Sequence, residues 1–366
     1  MKIGINVAPY EEDGCRVAVE ADRLGVDSLW APEAWGYDAF TPLAYVAART
    51  ERARLISGIA QLGARTPAML AMSAMSMQAL SGGRFVLGLG VSGPQVVEGW
   101  HGVPFAKPVT RTRETVEIVR ALCRGERSSY DGSVFQLPLP GGEGKAIRSM
   151  APPVDVPIFL AALGPANLRL TGQIADGWIG NSFLAGAPES AAALLGPIRD
   201  GAVEAGRDPE AIERTVAVSL EFSDDVETVA AKHAGGYAFT FGAMGSGKTN
   251  FYSSAFERQG FGEQIAEVQR LWQAGDRESA ARAVPLEIGL RTNLLGTDET
   301  VRETLRESLR LRPQVLRRLG WHYVRVHAFD LYSDPAGVAA RIAAILGAPP
   351  ETPTADTVTQ PIDVLD

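Results

Sequence analysis

Between Phe85 and Gly102 the chain reads FVLGLGVSGPQVVEGWHG, an apolar run that breaks into glycines and then delivers Glu98, Trp100 and His101 within a few residues. Gly88, Gly90 and Gly93 let backbone approach a ligand closely, and a carboxylate with an imidazole nearby can move a proton near neutral pH. Proton transfer beside a bound cofactor is the chemistry such a cluster serves; an ordinary glycine turn with a structural histidine is the plainer alternative. Glu33 is a second candidate, because Trp30 and Trp35 flank it in WAPEAWGYD and would desolvate its carboxyl. Its plainer role is to cap backbone amides. Of the four histidines, His101 follows the glycine turn and His327 ends a predicted strand, whereas His233 and His322 border a long insertion and are expected to have no chemical role.

These residues need a scaffold, and the hydrophobic pattern supplies one. Short β-branched runs alternate with amphipathic stretches from the first residues onward. Strands are predicted at Ile3–Val7, Ser28–Ala31, Arg54–Ile59, Phe85–Gly90, Pro157–Ala161, Gly177–Asn181, Thr215–Glu221 and Tyr323–Ala328. Helices are predicted at Cys15–Leu24, from Thr41 to Thr50, at Pro67–Leu80 and at Arg111–Arg124. Eight strands separated by helices fit a closed α/β (β/α)8 TIM barrel better than an open doubly wound sheet. In such barrels the site lies at the strand C-termini. Here these ends carry Asn6, Glu33, Gly58-Ile59, Gly90-Val91-Ser92-Gly93, Ala161-Ala162 and Gly164, Gly180-Asn181, Glu221 and His327. One barrel over residues 1–347 is expected, with insertions at about 125–156 and 234–322; the first holds a hairpin around Asp131-Gly132 and the second several helices. Residues 348–366, rich in Pro, Thr and Asp, read as a disordered tail.

Composition narrows the class. With 46% hydrophobic and 21% charged residues in 366, the chain is an ordinary globular protein. A net charge of −8 without a basic cluster argues against nucleic acid. Cys15 and Cys123 stand alone in predicted helices, against a disulfide framework or thiolate metal site. The N-terminus lacks an export pattern and no apolar run reaches membrane-spanning length, so a cytoplasmic protein without a membrane partner is expected.

LGLGVSGPQVVEGWHG, KPVTRTRETVEIVRAL, PIFLAALGPANLRLTGQIADGWIGN and MGSGKTNFY together resemble the luciferase-like monooxygenase superfamily, most closely its deazaflavin branch of methylenetetrahydromethanopterin reductase-like oxidoreductases. The resemblance runs from about Lys2 to Gly347. It implies a bacterial luciferase-like barrel with insertions, usually a homodimer, that binds coenzyme F420 or, in sister branches, FMN, with the tricyclic ring at the C-terminal mouth. It also implies a non-prolyl cis peptide at Gly58-Ile59 supporting the ring. The phosphate would lie between the strand-four turn (Val91, Ser92, Gly93, Pro94, Gln95) and the strand-five turn (Ala161, Ala162, Gly164, Pro165), where free amides open a helix. Asn6 and Trp178 complete the expected cofactor contacts, and Glu33 or His101 would move the proton. Glucose-6-phosphate-type deazaflavin dehydrogenases carry an Asp-His pair where this chain has Glu33-Ala34, which puts sugar-phosphate oxidation in doubt. The expected reaction is hydride transfer between the deazaflavin C5 and a small carbonyl, imine, activated alkene or alcohol. The alternative is an FMN monooxygenase served by a separate reductase.

One motif points elsewhere. Gly242 to Thr249 satisfies the phosphate-loop pattern GxxxxGK(S/T), yet no metal-binding strand follows nearby. An NTPase and a non-catalytic ligand binder are the readings from other classes. The expected role of this loop is to fold over the barrel mouth, with Lys248 or Asn250 facing the substrate or a neighbouring subunit.

Overall fold

The computed structural model describes residues 2–303 apart from 9, 11, 185–189 and 245–249. Residues 2–296 form one compact unit. Its strands are β1 (Gly4–Asn6), β2 (Ser28–Ala31), β3 (Arg54–Ser57), β4 (Ala60–Gln61), β5 (Phe85–Gly90), β6 (Tyr130–Asp131), β7 (Gln136–Leu137), β8 (Ile158–Ala161), β9 (Gly177–Gly180), β10 (Glu213–Val216), β11 (Leu220–Phe222) and β12 (Leu294–Gly296). An eight-stranded parallel sheet runs β1-β2-β3-β5-β8-β9-β10, with β4 also pairing β5. The sheet curls: Lys2 Nζ, beside the first strand, lies 2.8 Å from Glu213 Oε2 on the last. Arg54, at the start of β3, reaches the same carboxylate at 2.5 and 3.1 Å. All three groups stand at strand N-termini, so the opposite rim is the C-terminal mouth. The eighth strand expected at Tyr323–Ala328, with His322, His327 and the tail, lies outside the described residues.

Inside the curl, Trp30, Ile56, Val86 and Phe159 pack together with Ile179, one from each of five neighbouring strands. Alternation sends the other side chains outward, where Leu29, Leu55, Leu87 and Ile158 meet the helix layer. That layer includes α1 (Glu12–Leu24), α2 (Phe40–Ala47), α3 (Pro67–Ser81), the short α4 (Pro94–Val97), α5 (Pro108–Cys123) and α6 (Pro165–Ile174). Local chemistry sets the helix ends. Thr66 accepts from Met69 N at 3.2 Å and Gly82 closes α3 at φ 64°. The helix predicted from Arg111 begins earlier, because Pro108 occupies N1, where a missing N–H costs nothing. Cys15 and Cys123 are unpaired, and burial pushes the Cys123 thiol up to about 11, too high for a thiolate nucleophile.

The strand predicted at Thr215–Glu221 is two strands. β10 ends at Val216, and β11 leaves the barrel sheet to pair in parallel with β12. The helices between them, including Ala234–Ala243, Phe251–Phe256 and Gly262–Gln273, close around a separate apolar cluster of Phe241, Phe256, Phe261, Ile265, Val268 and Ile288. The first insertion holds the expected hairpin, β6 paired antiparallel to β7. Its turn is held by the Glu114 carboxylate, which accepts from Ser133, Val134 and Phe135 amides at 2.8–2.9 Å. In the other unit, Thr297 Oγ1 accepts from Thr300 N at 3.1 Å. Among the described residues no helix is long and apolar enough to cross a membrane.

Candidate active site

The floor of the mouth forms where β3 meets β5. Ser57 Oγ donates to Gly88 O and accepts from Gly88 N, both at 2.9 Å. A Cβ on Gly88 would lie 1.9 Å from Ser57 O, so only glycine lets the strands approach this closely. The next peptide, Gly58-Ile59, is cis, as the resemblance implied. The Ile59 side chain lies over Gly90, where a Cβ would come within 2.8 Å of it. Asn6 is exposed at the end of β1.

Glu33 is placed differently from a proton-transfer group. Its side chain is only 6% exposed and forms a bidentate pair with Arg65, itself 17% exposed, both bonds measuring 2.8 Å. Gln61 N donates to Oε1 at 2.9 Å and Ala39 N to Oε2 at 3.1 Å. Four donors therefore saturate the carboxylate, so this geometry makes Glu33 a positioning residue. Asp38 lies 3.8 Å from Arg65 Nη2. Burial pushes the Asp38 carboxyl up, but hydrogen bonds from Thr41 and Phe40 and the Arg65 charge outweigh it and hold the group below the usual range. Asp38 thereby starts α2, a cap the sequence reading had not identified.

Gln61, wholly buried, carries the Glu33 network to His101. Its Nε2 donates to Ala34 O at 2.6 Å, and its Oε1 lies 3.1 Å from His101 Nε2. A carbonyl can only accept, so the Ala34 contact orients the amide, and the histidine must carry its proton on Nε2. His101 Nδ1 is left without a protein partner among the described residues. Glu98 accepts from Phe105 N at 3.0 Å and organises the same loop, whereas Trp100 is exposed.

Beside this network lies a cavity of about 230 Å³. Trp35 forms one wall, Ser92 to Val96 another, and Phe239, Ala243, Met244, Phe251 and Tyr252 from the inserted helices the third. Ser92 takes a left-handed φ of 58°, and Gly93 begins α4. Burial pushes the Tyr252 phenol up, so it remains an O–H donor. Asn250 does not face the cavity as a ligand group: it caps helix Phe251–Phe256 at Ser253 N (3.0 Å) and donates to Thr240 O and Phe241 O. The phosphate-loop reading also fails, because Gly242 sits in helix Ala234–Ala243, against the Trp272 ring, rather than after a strand. Lys248 lies outside the described residues.

Across the mouth, Ala161 ends β8, Ala162 follows it and Gly164 precedes α6, with Pro165 at N1 and no side-chain cap. In the first turn of α6, Asn167 Oδ1 is buried without a partner. Arg258, which the sequence reading missed, donates to Leu163 O at 2.7 Å and brings a cation to this turn. Trp178, expected near the cofactor, is instead fully buried behind the sheet with Leu168, Leu194 and Ile198. It donates to Ala162 O at 2.9 Å, and the pleat directs it outward because Ile179 is the residue facing in. Among the described residues no group of three His, Cys, Asp or Glu could hold a metal.

The sequence profile of the luciferase-like monooxygenases matches residues 10–313. A Mycobacterium tuberculosis protein provisionally named a coenzyme F420-dependent oxidoreductase is 36% identical over 83% of this chain and 91% of its own length. A 5,10-methylenetetrahydromethanopterin reductase of Archaeoglobus fulgidus is 28% identical over 84% of this chain and 90% of its own. Among solved structures, the coenzyme F420-dependent tetrahydromethanopterin reductase of Methanopyrus kandleri superposes with a TM-score of 0.67 at 22% identity, covering 85% of this chain and 90% of that one. This last likeness establishes a shared fold.

Proposed function

The chain belongs to the luciferase-like monooxygenase family, and from that premise we propose that it is a coenzyme F420-dependent oxidoreductase acting on a small organic substrate. The observation that carries the reading is the similarity to the mycobacterial relative along nearly its whole length. The site fits a phosphate-bearing tricyclic cofactor. Ile59 over Gly90 offers an apolar rest for a ring. The uncapped start of α6, with Arg258 beside it and the orphaned Asn167 Oδ1 in its first turn, offers amides, a cation and an unpaired polar atom to a phosphodiester.

When bound, the deazaflavin supplies hydride exchange at C5 with a carbonyl, imine, activated alkene or alcohol. The chain's own residues orient the reactants and handle the proton. Glu33 holds Arg65 and Gln61, Gln61 fixes the His101 tautomer, and His101 Nδ1 takes up or releases the proton. The Trp35, Phe239 and Phe251 side chains give the cavity apolar walls that would shield a bound substrate from water.

We also propose a homodimer. Helix α3 is apolar on both faces: Leu70, Ala71 and Ala74 face the core, while Met69, Met72 and Leu80 are exposed. An apolar stripe of this kind is what a self-complementary interface buries.

Titration with coenzyme F420 and separately with FMN, in one buffer and followed by fluorescence quenching, tests the cofactor assignment. Tight F420 and weak FMN binding is expected. The reverse preference would replace this reading with a flavin monooxygenase served by a separate reductase, and binding of neither would end it.

A further inference from the structure

The cavity is walled on one side by Ser92 to Gln95, part of the turn expected at the phosphate, but its lining differs from the start of α6, where Arg258 brings a cation. Among its described lining residues none carries a charge, and Trp35, Pro94, Phe239 and Phe251 present apolar surface. At about 230 Å³ it is small for a ligand pocket. Glu33 and Arg65 neutralise each other beside Asp38, and none of the three is among the described lining residues. The described lining offers an anionic substrate no cation to replace its lost hydration, which favours a neutral guest.

Three polar side chains break the apolar lining, those of Ser92, Gln95 and Tyr252, and of these Gln95 is already engaged within the protein. Of the two hydroxyls, that of Tyr252 is the fixed one. Its helix is capped by Asn250 and braced by the contact of Phe251 with Phe105, ring centroids 6.1 Å apart. Its hydroxyl has no hydrogen-bond partner among the described residues, yet it is not sealed in the core like Thr115 Oγ1. A fixed hydroxyl donor in a largely apolar, aromatic pocket selects an acceptor, because an occupant without one leaves that donor unpaired.

Building on the proposed oxidoreductase reading, we propose that this cavity is the substrate subsite, that it takes compact, neutral, largely apolar carbonyl compounds, and that Tyr252 donates the hydrogen bond that holds their oxygen. As hydride from the reduced cofactor forms the new C–H bond, the C=O π pair would move to the oxygen held by Tyr252, and that oxygen would take its proton from His101 as proposed above; the opposite direction would return the hydride to the cofactor and the alcohol proton to His101.

Binding of cyclohexanone and of its hydrocarbon isostere methylenecyclohexane to the full chain, read by tryptophan fluorescence with Trp35 in the cavity wall, tests this without relying on the cofactor. Wild type is expected to prefer the ketone by about tenfold, the worth of one neutral hydrogen bond. Tyr252→Phe keeps the ring and should abolish the preference, while Ser92→Ala retains it. With reduced F420 as donor, Tyr252→Phe should lower kcat/KM for cyclohexanone by about 10–100-fold and leave F420 affinity unchanged. Equal preference in wild type and Tyr252→Phe overturns the assignment, as does a preference lost only in Ser92→Ala. Tighter binding of glucose 6-phosphate than of cyclohexanone, or no binding of either cyclic probe, overturns the substrate class. A failure to bind F420 would count against the cofactor reading alone, because the ketone preference is scored without it.

Discussion

Replacing Glu33 separates a structural carboxylate from a catalytic one. Each oxygen accepts one backbone amide and one guanidinium N–H: Oε1 from Gln61 N and Arg65 Nη1, Oε2 from Ala39 N and Arg65 Nη2. Glu33→Gln keeps the shape but turns one oxygen into an NH2 group. Whichever oxygen is lost, one backbone amide and one guanidinium N–H then face a donor. With the pair only 6% and 17% exposed, water cannot freely repair the loss. The expected cost is about 2–3 kcal/mol for Glu33→Gln, and about 3–5 kcal/mol for Glu33→Ala, which leaves the largely buried Arg65 charge with only the longer 3.8 Å contact to Asp38. Adding Arg65→Met to Glu33→Ala should recover part of that loss, because the stranded charge is gone. Urea denaturation gives the energies, and the pH profile of kcat/KM with reduced F420 gives the chemistry. If Glu33 positions Gln61 and His101, both Glu33 variants lower activity and stability while the titrating limb of the profile stays. A Glu33→Gln enzyme within 0.5 kcal/mol of wild type that loses a limb of the profile would refute this reasoning.

Glu114 should govern acid stability: burial pushes its carboxyl up, but the Phe135, Ser133 and Val134 amides outweigh burial and hold it below its ordinary value. A lowered folded-state pKa stabilises the protein fully above the unfolded value of about 4.3, and this contribution disappears as pH falls through the folded pKa. Glu114→Gln should cost about 1–3 kcal/mol at pH 7 and flatten the stability-versus-pH curve below about pH 5, and an unchanged curve would count against it. Gly90→Ala should push the Ile59 side chain, 2.8 Å from the new Cβ, into the mouth and weaken F420 binding at least tenfold with the fold retained by circular dichroism; unchanged affinity would remove Ile59 from the ring's resting surface. Met72→Glu, on the exposed stripe of α3, should convert the dimer to monomers by light scattering, since the two-fold would bring like charges together. A monomeric wild type, or a dimeric variant, refutes that interface.

Much of this molecule was legible before any coordinates. Glycine and proline punctuation with alternating apolar periods is a local property, so it placed β2, β5, β8 and α3 close to where they lie. The glycines of β5 and the family were also accessible from the chain as written, whereas the Gly58-Ile59 cis peptide came only through the family resemblance. Roles that depend on what a side chain meets across space were not. Glu33 looked like a proton carrier until Arg65, 32 residues away, and two backbone amides proved to occupy it. Trp178 looked like a cofactor contact until the pleat directed it outward toward Ala162 O. Thr215–Glu221 read as one strand because its apolar pattern is continuous, whereas the partner that splits it, β12, lies more than seventy residues further on. Arg258, Gln61 and Tyr252 carried no motif, and only the folding of the inserted helices over the mouth brought Tyr252 to the cavity and Arg258 to the start of α6. Local sequence decides where the backbone turns and which face is apolar, whereas donor and acceptor pairing across the barrel mouth depends on distances that only the closed tertiary structure sets.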